Sequence, residues 1–427
     1  MSFGCRLNAL ECDKIARMLD GTIDNVFLIN TCSVTGEAER QCAQTVRRIS
    51  RENKNAVIFV TGCGATRNPT LFSSVPRVLV IDNSDKMKLP AYIAALKSAE
   101  FDVLDPKIDI FRNTESKLSK QFIQVQNGCN HDCTYCVTRL LRGPNVSFPY
   151  DEILDEARRA IENGFYELVL TGVDTASYIR VDDGVPFLLA DLCARLLADV
   201  PEIRRLRLSS VDPASPEVPK IIDLMQRDTR FMPHLHLSMQ SGSDSILRAM
   251  RRRHDSKKLR ELAKSAANAG VTLGADIICG FPGESDELFN ETLSVVRDMN
   301  LINVHAFPYS PRPGTVAATM PNQVPRNISK SRVKIVDAIV AESRKSFMEK
   351  QIGKTVSVLV EENNIARTPD DIDVIILPQR GRGPQSGEGG LAYLSRAIET
   401  EMVPDKTICD VELVGIENGK FIGNIKK

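Results

Sequence analysis

The stretch GCNHDCTYCV, residues 128–137, contains three cysteines in the spacing C-x3-C-x2-C. Cys129, Cys133 and Cys136 offer three soft thiolates, the ligands that hold iron–sulfur clusters. Three protein ligands on a four-iron cluster leave one iron open to bind a small molecule. The alternatives are three unligated thiols or a zinc site that includes His131. However, only one residue separates His131 from Cys129 and from Cys133, which is a poor spacing for tetrahedral zinc. The stretch therefore favours an iron–sulfur cluster with an open coordination position.

The composition indicates a globular protein of several domains. The chain has 427 residues, of which 42% are hydrophobic and 26% charged, and its formal net charge is zero. A zero net charge excludes a global attraction to nucleic acid, so any such site must be a local patch. We expect a cytoplasmic protein without membrane association, because no apolar run approaches the roughly 20 residues of a membrane span. Eleven cysteines in a reducing compartment indicate metal binding more than disulfides.

The hydrophobic pattern predicts an α/β fold in three parts. Residues 1–98 alternate apolar runs with helical stretches and form a small open α/β domain. Residues 115–347 contain six βα units at spacings near 35 residues, which predict a parallel sheet curved into a partial (β/α)6 barrel. Residues 350–427 contain short β-type runs around a Gly-rich loop at 380–390, which predict a small antiparallel β-barrel. The predicted strands lie at 26–29, 57–60, 78–81, 122–126, 168–170, 206–209, 234–238, 271–279, 304–307, 355–361, 374–377, 408–414 and 421–425, and the predicted helices at 37–49, 151–163, 187–197, 284–299 and 326–350.

Three further cysteines stand at the carboxyl ends of predicted strands in the first domain. Cys5, Cys32 and Cys63 are each next to a glycine or threonine that suits a tight turn. Ligands of open parallel sheets collect at this edge. One such cysteine alone is more often a buried core thiol, but the repeated placement favours a second metal site. The remaining cysteines are interpreted as structural: Cys12, Cys42, Cys193, Cys279 and Cys409.

Small or polar residues follow several strands of the predicted barrel, on the same rim as the cysteine triplet. Each of them can either contact a bound ligand or simply end its strand. They are Thr171, Gly172, Ser209, Ser210, Gln240, Gly280 and Gly283. In addition, His234 and His236 belong to one predicted barrel strand, and we expect one of them to face the lumen.

Seven cations occupy the thirteen residues from Arg248 to Arg260. Such a run is usually a solvated helix face, and a site for phosphate groups is the alternative. The candidates for contact with RNA are Arg251, Arg252, Arg253 and Lys257.

Together these segments resemble the methylthiotransferases, a family of radical S-adenosylmethionine (SAM) enzymes, over nearly the whole chain. The segments that carry the resemblance are FGCRLN, INTCSVT, VTGC, QNGCNHDCTYC, HLHLSMQSGSDSILRAMRRRH, DIICGFPGE and HAFPYSPRPGTVAATM. The resemblance implies two [4Fe-4S] clusters and SAM as cofactors, with the auxiliary cluster on Cys5, Cys32 and Cys63 and the SAM cluster on the triplet. It also implies that the central barrel is a radical SAM core, that the rim residues contact SAM, and that the C-terminal barrel is a TRAM-like RNA-binding domain.

The last segment, with GCRLN, is most like the branch that modifies N6-threonylcarbamoyladenosine at position 37 of tRNA. That branch inserts a methylthio group at C2 of the adenine, after SAM is cleaved to a 5′-deoxyadenosyl radical. The implied partners are the tRNA anticodon stem-loop, an electron donor and a sulfur source. The alternatives are methylthiolation of isopentenyl-adenosine in tRNA, methylthiolation of a ribosomal-protein aspartate, and an RNA-binding protein whose clusters are only structural.

Overall fold

The computed structural model describes residues 1, 6–20, 25–33, 36–99, 101, 119–182, 184–362, 364–377 and 404–426. Two features of the sequence lie outside the described residues, namely Cys5 and the Gly-rich loop at 380–390. Among the described residues, no helix has both the length and the apolar composition that crossing a membrane requires.

The N-terminal elements build an open α/β unit around a small parallel sheet. They are α1 (Arg6–Leu19), β1 (Val26–Thr31), α2 (Gly36–Glu52), β2 (Val57–Gly62), α3 (Cys63–Arg67), α4 (Thr70–Ser73), β3 (Val78–Val80) and α5 (Leu89–Ser98). The central strand β2 is buried along its whole length and pairs in parallel with β1 and β3. One face packs against α2, and the other packs against α1 and α5. This arrangement confirms the open α/β fold predicted for this part of the chain.

The central elements form a partial barrel of six parallel strands within the described chain. They are β4 (Gln121–Gln124), β5 (Gln126–Asn127), α6 (Thr138–Arg142), β6 (Val146–Ser147), α7 (Tyr150–Glu162), β7 (Glu167–Thr171), β8 (Ile179–Asp182), β9 (Val185–Leu188), α8 (Leu189–Asp199), β10 (Arg205–Leu208), α9 (Val218–Arg227), β11 (His234–Gln240), α10 (Asp244–Ala249), α11 (Ser256–Asn268), β12 (Thr272–Cys279), α12 (Asp286–Asp298), β13 (Asn303–Pro308) and α13 (Arg326–Glu349). The strand order is β4-β7-β10, then β11-β12-β13. A parallel bridge between Val211 and Leu237 joins the two halves, which confirms the predicted curved parallel sheet.

The strands alternate between a face that packs against the helices and a face that lines the lumen, as the pleat requires. Leu168, Leu170, Leu235 and Leu237 are buried in the large core that the surrounding helices cover. Residues between them therefore point into the lumen.

The predicted helix at 187–197 begins late, because its first residues belong to a hairpin. Val185–Leu188 pairs antiparallel with Ile179–Asp182. Gly184 has a φ of +79° beside the turn, a conformation that suits glycine. The sequence analysis did not predict this hairpin, because the short apolar run before the helix merges with the helical pattern.

The C-terminal elements close into a five-stranded barrel among the described residues. They are β14 (Thr355–Val360), β15 (Ile365–Arg367), β16 (Asp373–Ile376), β17 (Ile408–Glu417) and β18 (Lys420–Ile425), in the order β14-β15-β16-β18-β17. The predicted small β-barrel is confirmed, but it is not antiparallel throughout, because β16 and β18 are parallel. Parallel neighbours need a crossover connection, and the chain makes one by forming β17 between them. The sequence analysis also missed β15, which is only three residues long.

The segment that joins β15 to β16 closes the lower end of the central barrel. Arg205 donates a hydrogen bond of 2.9 Å to the Thr368 carbonyl, and Arg207 donates one of 2.7 Å to the Pro369 carbonyl. Both guanidinium groups pair with the buried Glu167, at 2.6 and 3.0 Å. These contacts close the lumen at its base. The division at 98, 115, 347 and 350 stays our proposal for the domain boundaries.

Candidate active site at the barrel rim

The loop that carries the cysteine triplet leaves the sheet at a glycine that no other residue can replace without movement. Gly128 has a φ of +67°, and a Cβ atom there would lie 1.8 Å from the Pro144 carbonyl oxygen. The backbone N–H of Cys129 then donates to the Gly143 carbonyl at 3.1 Å. This close contact with residues 143–144 fixes where the first cysteine points.

Each sulfur of the triplet accepts a hydrogen bond. The N–H of His131 donates to Cys129 Sγ and the N–H of Thr138 donates to Cys136 Sγ, both at 3.4 Å. Arg252 Nη1 donates to Cys133 Sγ at 3.5 Å. N–H···S bonds of this kind tune the reduction potential of iron–sulfur clusters.

The chemistry of the triplet fits a metal cluster. Burial, together with the charges of Asp174, Cys136 and Cys133, raises the pKa of Cys129 to about 11, although the hydrogen bond from the His131 N–H lowers it. Three neighbouring thiolates repel one another and therefore need a positive charge between them. A coordinating metal supplies that charge and deprotonates the thiols that bind it. Soft sulfur ligands suit the irons of a cluster.

Arg252 differs from the phosphate contact predicted for it. Its side chain is only 7% exposed and lies 3.2 Å from Asp212 Oδ1. Besides Cys133, it donates to the Ser238 carbonyl at 2.7 Å. A guanidinium with these partners is directed into the site and away from solvent. The sequence did not indicate this burial, because Arg252 belongs to a run of cations that is typical of a solvent-exposed helix face.

The triplet loop is tied to the loops that follow β7 and β10. His131 Nε2 lies 2.6 Å from Asp174 Oδ2 and 2.8 Å from Arg253 Nη2. Arg253 also donates to Asp212 Oδ2 at 2.9 Å. Burial alone would raise the pKa of Asp212, but the imidazole of His254, 3.8 Å away, and the charge of Arg252 hold it well below its usual range. Asp212 is therefore a fixed negative charge opposite the triplet.

The zinc alternative has some geometric basis. Cys129, His131 and Asp174 place ligand atoms within 4.8 Å of one another. However, the guanidinium of Arg253 lies 2.8 Å from the imidazole nitrogen that such a site would use. A cation in that position opposes a metal ion there, so a three-thiolate cluster fits this loop better.

The other predicted RNA contacts are on the surface beside the rim. Arg251 pairs with Asp132, Arg253 is 51% exposed, and Lys257 is 83% exposed. These three side chains are accessible to a phosphate backbone, and their contact with RNA stays a prediction.

Two rim residues carry buried polar atoms that have no hydrogen-bond partner among the described residues. They are Ser209 Oγ, just past β10, and Gln240 Oε1, at the end of β11. Buried polar atoms are rarely left unpaired, so a ligand at the rim can satisfy both. Polar groups of SAM fit such positions. Gln240 also has a φ of +69°, which is unusual for a residue with a side chain and is often found at ligand sites.

Packing and hydrogen bonds within the protein can also explain three other rim residues, Thr171, Gly172 and Ser210. Thr171 is buried, and a Cβ atom on Gly172 would lie 2.8 Å from Gln126 Oε1. The Ser210 carbonyl accepts a hydrogen bond from Thr175 Oγ1 at 2.5 Å.

The two glycines after β12 use their N–H groups within the protein. Gly280 donates to Glu284 Oε2 at 2.6 Å, and Gly283 donates to the Asn322 carbonyl at 2.9 Å. A Cβ atom on Gly280 would lie 1.9 Å from Ser329 Oγ, so close packing against α13 requires this glycine. Contact between SAM and the two glycines stays a prediction.

Cys32 and Cys63, the described members of the second cysteine set, lie at the edge of the N-terminal sheet. Cys32 follows β1 and Cys63 follows β2, and the last residues of these strands, Thr31 and Gly62, are paired. The two cysteines thus end neighbouring strands, as predicted for a shared site. Gly62 has a φ of +91°, and a Cβ atom there would lie 2.2 Å from a side-chain oxygen of Asn30. The sequence analysis did not single out Lys86, whose buried ammonium interacts electrostatically with Cys63.

The two cysteine-bearing edges meet through short helices. α3, which begins at Cys63, packs against α6, which begins two residues after Cys136. Asn83 Nδ2 donates to the Leu141 carbonyl at 2.8 Å across the same contact. The triplet loop and the edge of Cys32 and Cys63 therefore face each other.

Comparisons with known proteins agree with this arrangement. Residues 123–296 match the radical SAM superfamily, and residues 1–81 match the uncharacterized protein family UPF0004. The chain is 40% identical to the threonylcarbamoyladenosine tRNA methylthiotransferase MtaB of Rickettsia prowazekii, over 88% of this chain and 90% of that protein. It is 31% identical to the protein of the same name from Bacillus subtilis, over 84% of each chain. It is also 31% identical to the tRNA-2-methylthio-N(6)-dimethylallyladenosine synthase of Erythrobacter litoralis, over 84% of this chain and 85% of that protein.

A solved structure supports the fold at much lower identity. The cobalamin- and [4Fe-4S]-bound radical SAM methyltransferase TsrM of Kitasatospora setae aligns with a TM-score of 0.55 and 13% identity, over 73% of this chain and 69% of that one. The chain belongs to the radical SAM methylthiotransferase family, and it is an enzyme of that class that uses an iron–sulfur cluster and SAM.

Proposed function

We propose that this enzyme inserts a methylthio group at C2 of N6-threonylcarbamoyladenosine, at position 37 of tRNA, with two [4Fe-4S] clusters. Relatives named for that activity in Rickettsia prowazekii, Bacillus subtilis and Chlamydia pneumoniae support this substrate, at 40%, 31% and 33% identity. In this proposal Cys129, Cys133 and Cys136 hold one cluster. Cys5, Cys32 and Cys63 hold the other.

The packing of α3 against α6 is the observation that carries the two-cluster proposal. It turns the edge that bears Cys32 and Cys63 toward the loop that bears the triplet. Reactants must be held close together if a group is to pass between them efficiently. A structural cluster in the N-terminal domain would not need to face the barrel rim.

The residues of the rim have separable roles in this proposal. When bound, the SAM cluster supplies the electron that cleaves SAM, and this chemistry belongs to the cofactor. Arg252 places its positive charge beside the sulfur of Cys133, where it would stabilise the negative charge of a bound cluster. Ser209 and Gln240 offer buried polar atoms to SAM.

The tRNA anticodon stem-loop is the proposed partner. Arg251, Arg253 and Lys257 are exposed cations on the rim side, and phosphate contacts of this type position an RNA without reading its sequence. Small closed β-barrels often bind nucleic acid, which supports an RNA-binding role for the C-terminal barrel. The reaction also requires an electron donor and a sulfur source.

The test is mass spectrometry of tRNA nucleosides from a strain that lacks the gene. We expect loss of 2-methylthio-N6-threonylcarbamoyladenosine and its recovery when the wild-type gene is returned. The Cys32→Ala variant should fail to restore it. Cys193→Ala is the control, because Cys193 is also a buried thiol but lies inside α8, in the core of the central barrel, and it should restore the nucleoside. An unchanged level in the deletion strain contradicts the proposed substrate, and loss of the 2-methylthio-dimethylallyl nucleoside instead assigns the other tRNA substrate.

A further inference from the structure

Three side chains with nitrogen or oxygen ligands meet on neighbouring strands of the barrel. His236 Nε2 lies 3.1 Å and His305 Nδ1 lies 3.3 Å from the same oxygen, Asp276 Oδ1. The two imidazole rings are 4.7 Å apart, centre to centre. Their strands, β11, β12 and β13, are consecutive in the sheet. We call these three residues the lumen triad.

The lumen triad faces the interior of the barrel. The residues that alternate with the triad along these strands are buried in the core against the outer helices, namely Leu235, Leu237 and Ala275. The side chains of the triad therefore point to the opposite face. The sequence analysis expected one of His234 and His236 to face the lumen, but both do, because they are two residues apart on one strand.

We propose that the lumen triad binds a divalent first-row transition ion such as zinc. Two imidazoles and one carboxylate are ligands that such ions accept readily. Ligand atoms about 2.1 Å from an ion, at angles of about 90–110°, are about 3.0–3.4 Å from each other. The separations of 3.1 and 3.3 Å within the triad match this requirement. The proposal does not depend on the methylthiolation reaction.

A glycine on the neighbouring strand leaves space for the imidazole rings. A Cβ atom on Gly274 would lie 2.8 Å from His236 Nδ1 and 3.2 Å from His234 Nε2. Glycine inside a strand weakens the strand, so its presence here has a structural reason, namely space for the imidazoles.

The triad combines a negative ligand with access for an ion. Asp276 supplies the carboxylate oxygen that both imidazoles approach. The side chain of His236 is 10% exposed and that of His305 is 58% exposed. An ion can enter from the side of His305, where positions remain for water.

The experiment uses the holoenzyme with its clusters assembled anaerobically. The protein is equilibrated with buffered zinc and desalted, and zinc and iron are counted by mass spectrometry. We expect about one zinc per chain beyond the cluster iron. His305→Ala should weaken zinc binding at least about tenfold without changing the iron content. His234→Ala is the matched control on the same strand and face, and it should keep the zinc. The Asp276→Asn variant preserves the shape of the side chain and should also lose zinc.

X-ray absorption at the zinc edge separates the triad from the cysteines. Zinc on the triad should show only nitrogen and oxygen neighbours near 2.0–2.1 Å, whereas zinc on thiolates shows sulfur near 2.3 Å. A sulfur shell, a zinc-free wild-type protein, or equal zinc in the wild-type and His305→Ala proteins would overturn the proposal, and the triad would then be a hydrogen-bonded network only.

Discussion

Arg142 Nη1 lies 2.8 Å from Glu11 Oε1, and this ion pair joins the helix after the cysteine triplet to the first helix of the N-terminal domain. The other oxygen of Glu11 is 2.6 Å from Lys86 Nζ. Each of the three side chains is no more than 3% exposed. Since Lys86 also interacts with Cys63, one buried network connects the surroundings of both cysteine sets.

Removing the carboxylate from this network should strongly destabilise the protein. Glu11→Gln leaves the charges of Arg142 and Lys86 buried without their counter-ion, which costs about 3–5 kcal/mol. Denaturant unfolding of the variant and the wild type measures the difference. Asp85→Asn is the control, because its partner Lys88 is exposed, and a surface pair contributes at most about 1 kcal/mol. Equal effects of the two substitutions would show that the buried network does not hold the domains together.

Replacing Gly128 should disturb the triplet directly. An alanine there must keep a positive φ and place its Cβ against the Pro144 carbonyl, so the loop has to move. The two-cluster proposal predicts that Gly128→Ala assembles about four irons per chain in place of about eight, because only the auxiliary cluster would remain. The readout is iron content after anaerobic reconstitution.

Gly164→Ala is the matched control for Gly128→Ala. Gly164 also has a positive φ, of +78°, but a Cβ atom there meets open space. This substitution should cost about 1–2 kcal/mol of stability and leave the iron content unchanged. Full iron in Gly128→Ala would mean that the loop tolerates the displacement, or that the triplet does not hold a cluster.

The order of the helices and strands was predictable because the hydrophobic period and the spacing of apolar runs are local properties of a sequence. The runs around Leu168 and Leu206 are short, apolar and separated by amphipathic helices, which suffices for a parallel sheet. The parallel pairing of β16 with β18 was not predictable, since the partners of a short strand depend on distant residues. The hairpin at Val185–Leu188 was missed for a related reason, because its apolar residues also suit the first turn of a helix.

The cysteine triplet was visible in the sequence because its spacing is compact. The partners of its sulfurs were not visible, because Arg252 lies 119 positions from Cys133. The lumen triad was hidden for the same reason. His236, Asp276 and His305 meet only through the register of three strands, and single histidines or aspartates carry no signal.

Asp370 should make the stability of the protein depend on pH between 5 and 7.5. It accepts a hydrogen bond from Thr272 where the C-terminal barrel meets the lumen, and burial raises its pKa to about 6. The folded state then binds more protons than the unfolded state, whose carboxyl has a pKa near 3.9, so stability falls as the pH rises through this window. The two pKa values give a loss of about 1.4 kcal/mol between pH 5 and 7.5.

Asp370→Asn removes this contribution, and unfolding curves at the two pH values measure it. The gain in stability from the substitution should be larger at pH 7.5 than at pH 5. The neighbouring Asp371 does not interfere, because its pKa is held below the usual range by Arg207 and Arg367 despite burial. An equal effect of Asp370→Asn at both pH values would contradict a raised pKa for this carboxyl.

Arg252 should control how readily the cluster on the triplet is reduced. Arg252→Gln removes the positive charge that donates to Cys133 Sγ at 3.5 Å. Loss of a positive charge beside a sulfur ligand makes adding an electron less favourable, so the reduction potential should become more negative. Because reduction precedes SAM cleavage, we expect the rate of 5′-deoxyadenosine formation to fall about 10- to 100-fold, the range typical of substitutions that alter the partners of metal ligands. Arg227→Gln is the control, since Arg227 pairs with Asp223 on the exposed surface of α9, and its rate should match the wild type. Potentials measured by EPR-monitored titration complete the test, and a wild-type potential in Arg252→Gln with full iron content would show that this hydrogen bond does not tune the cluster.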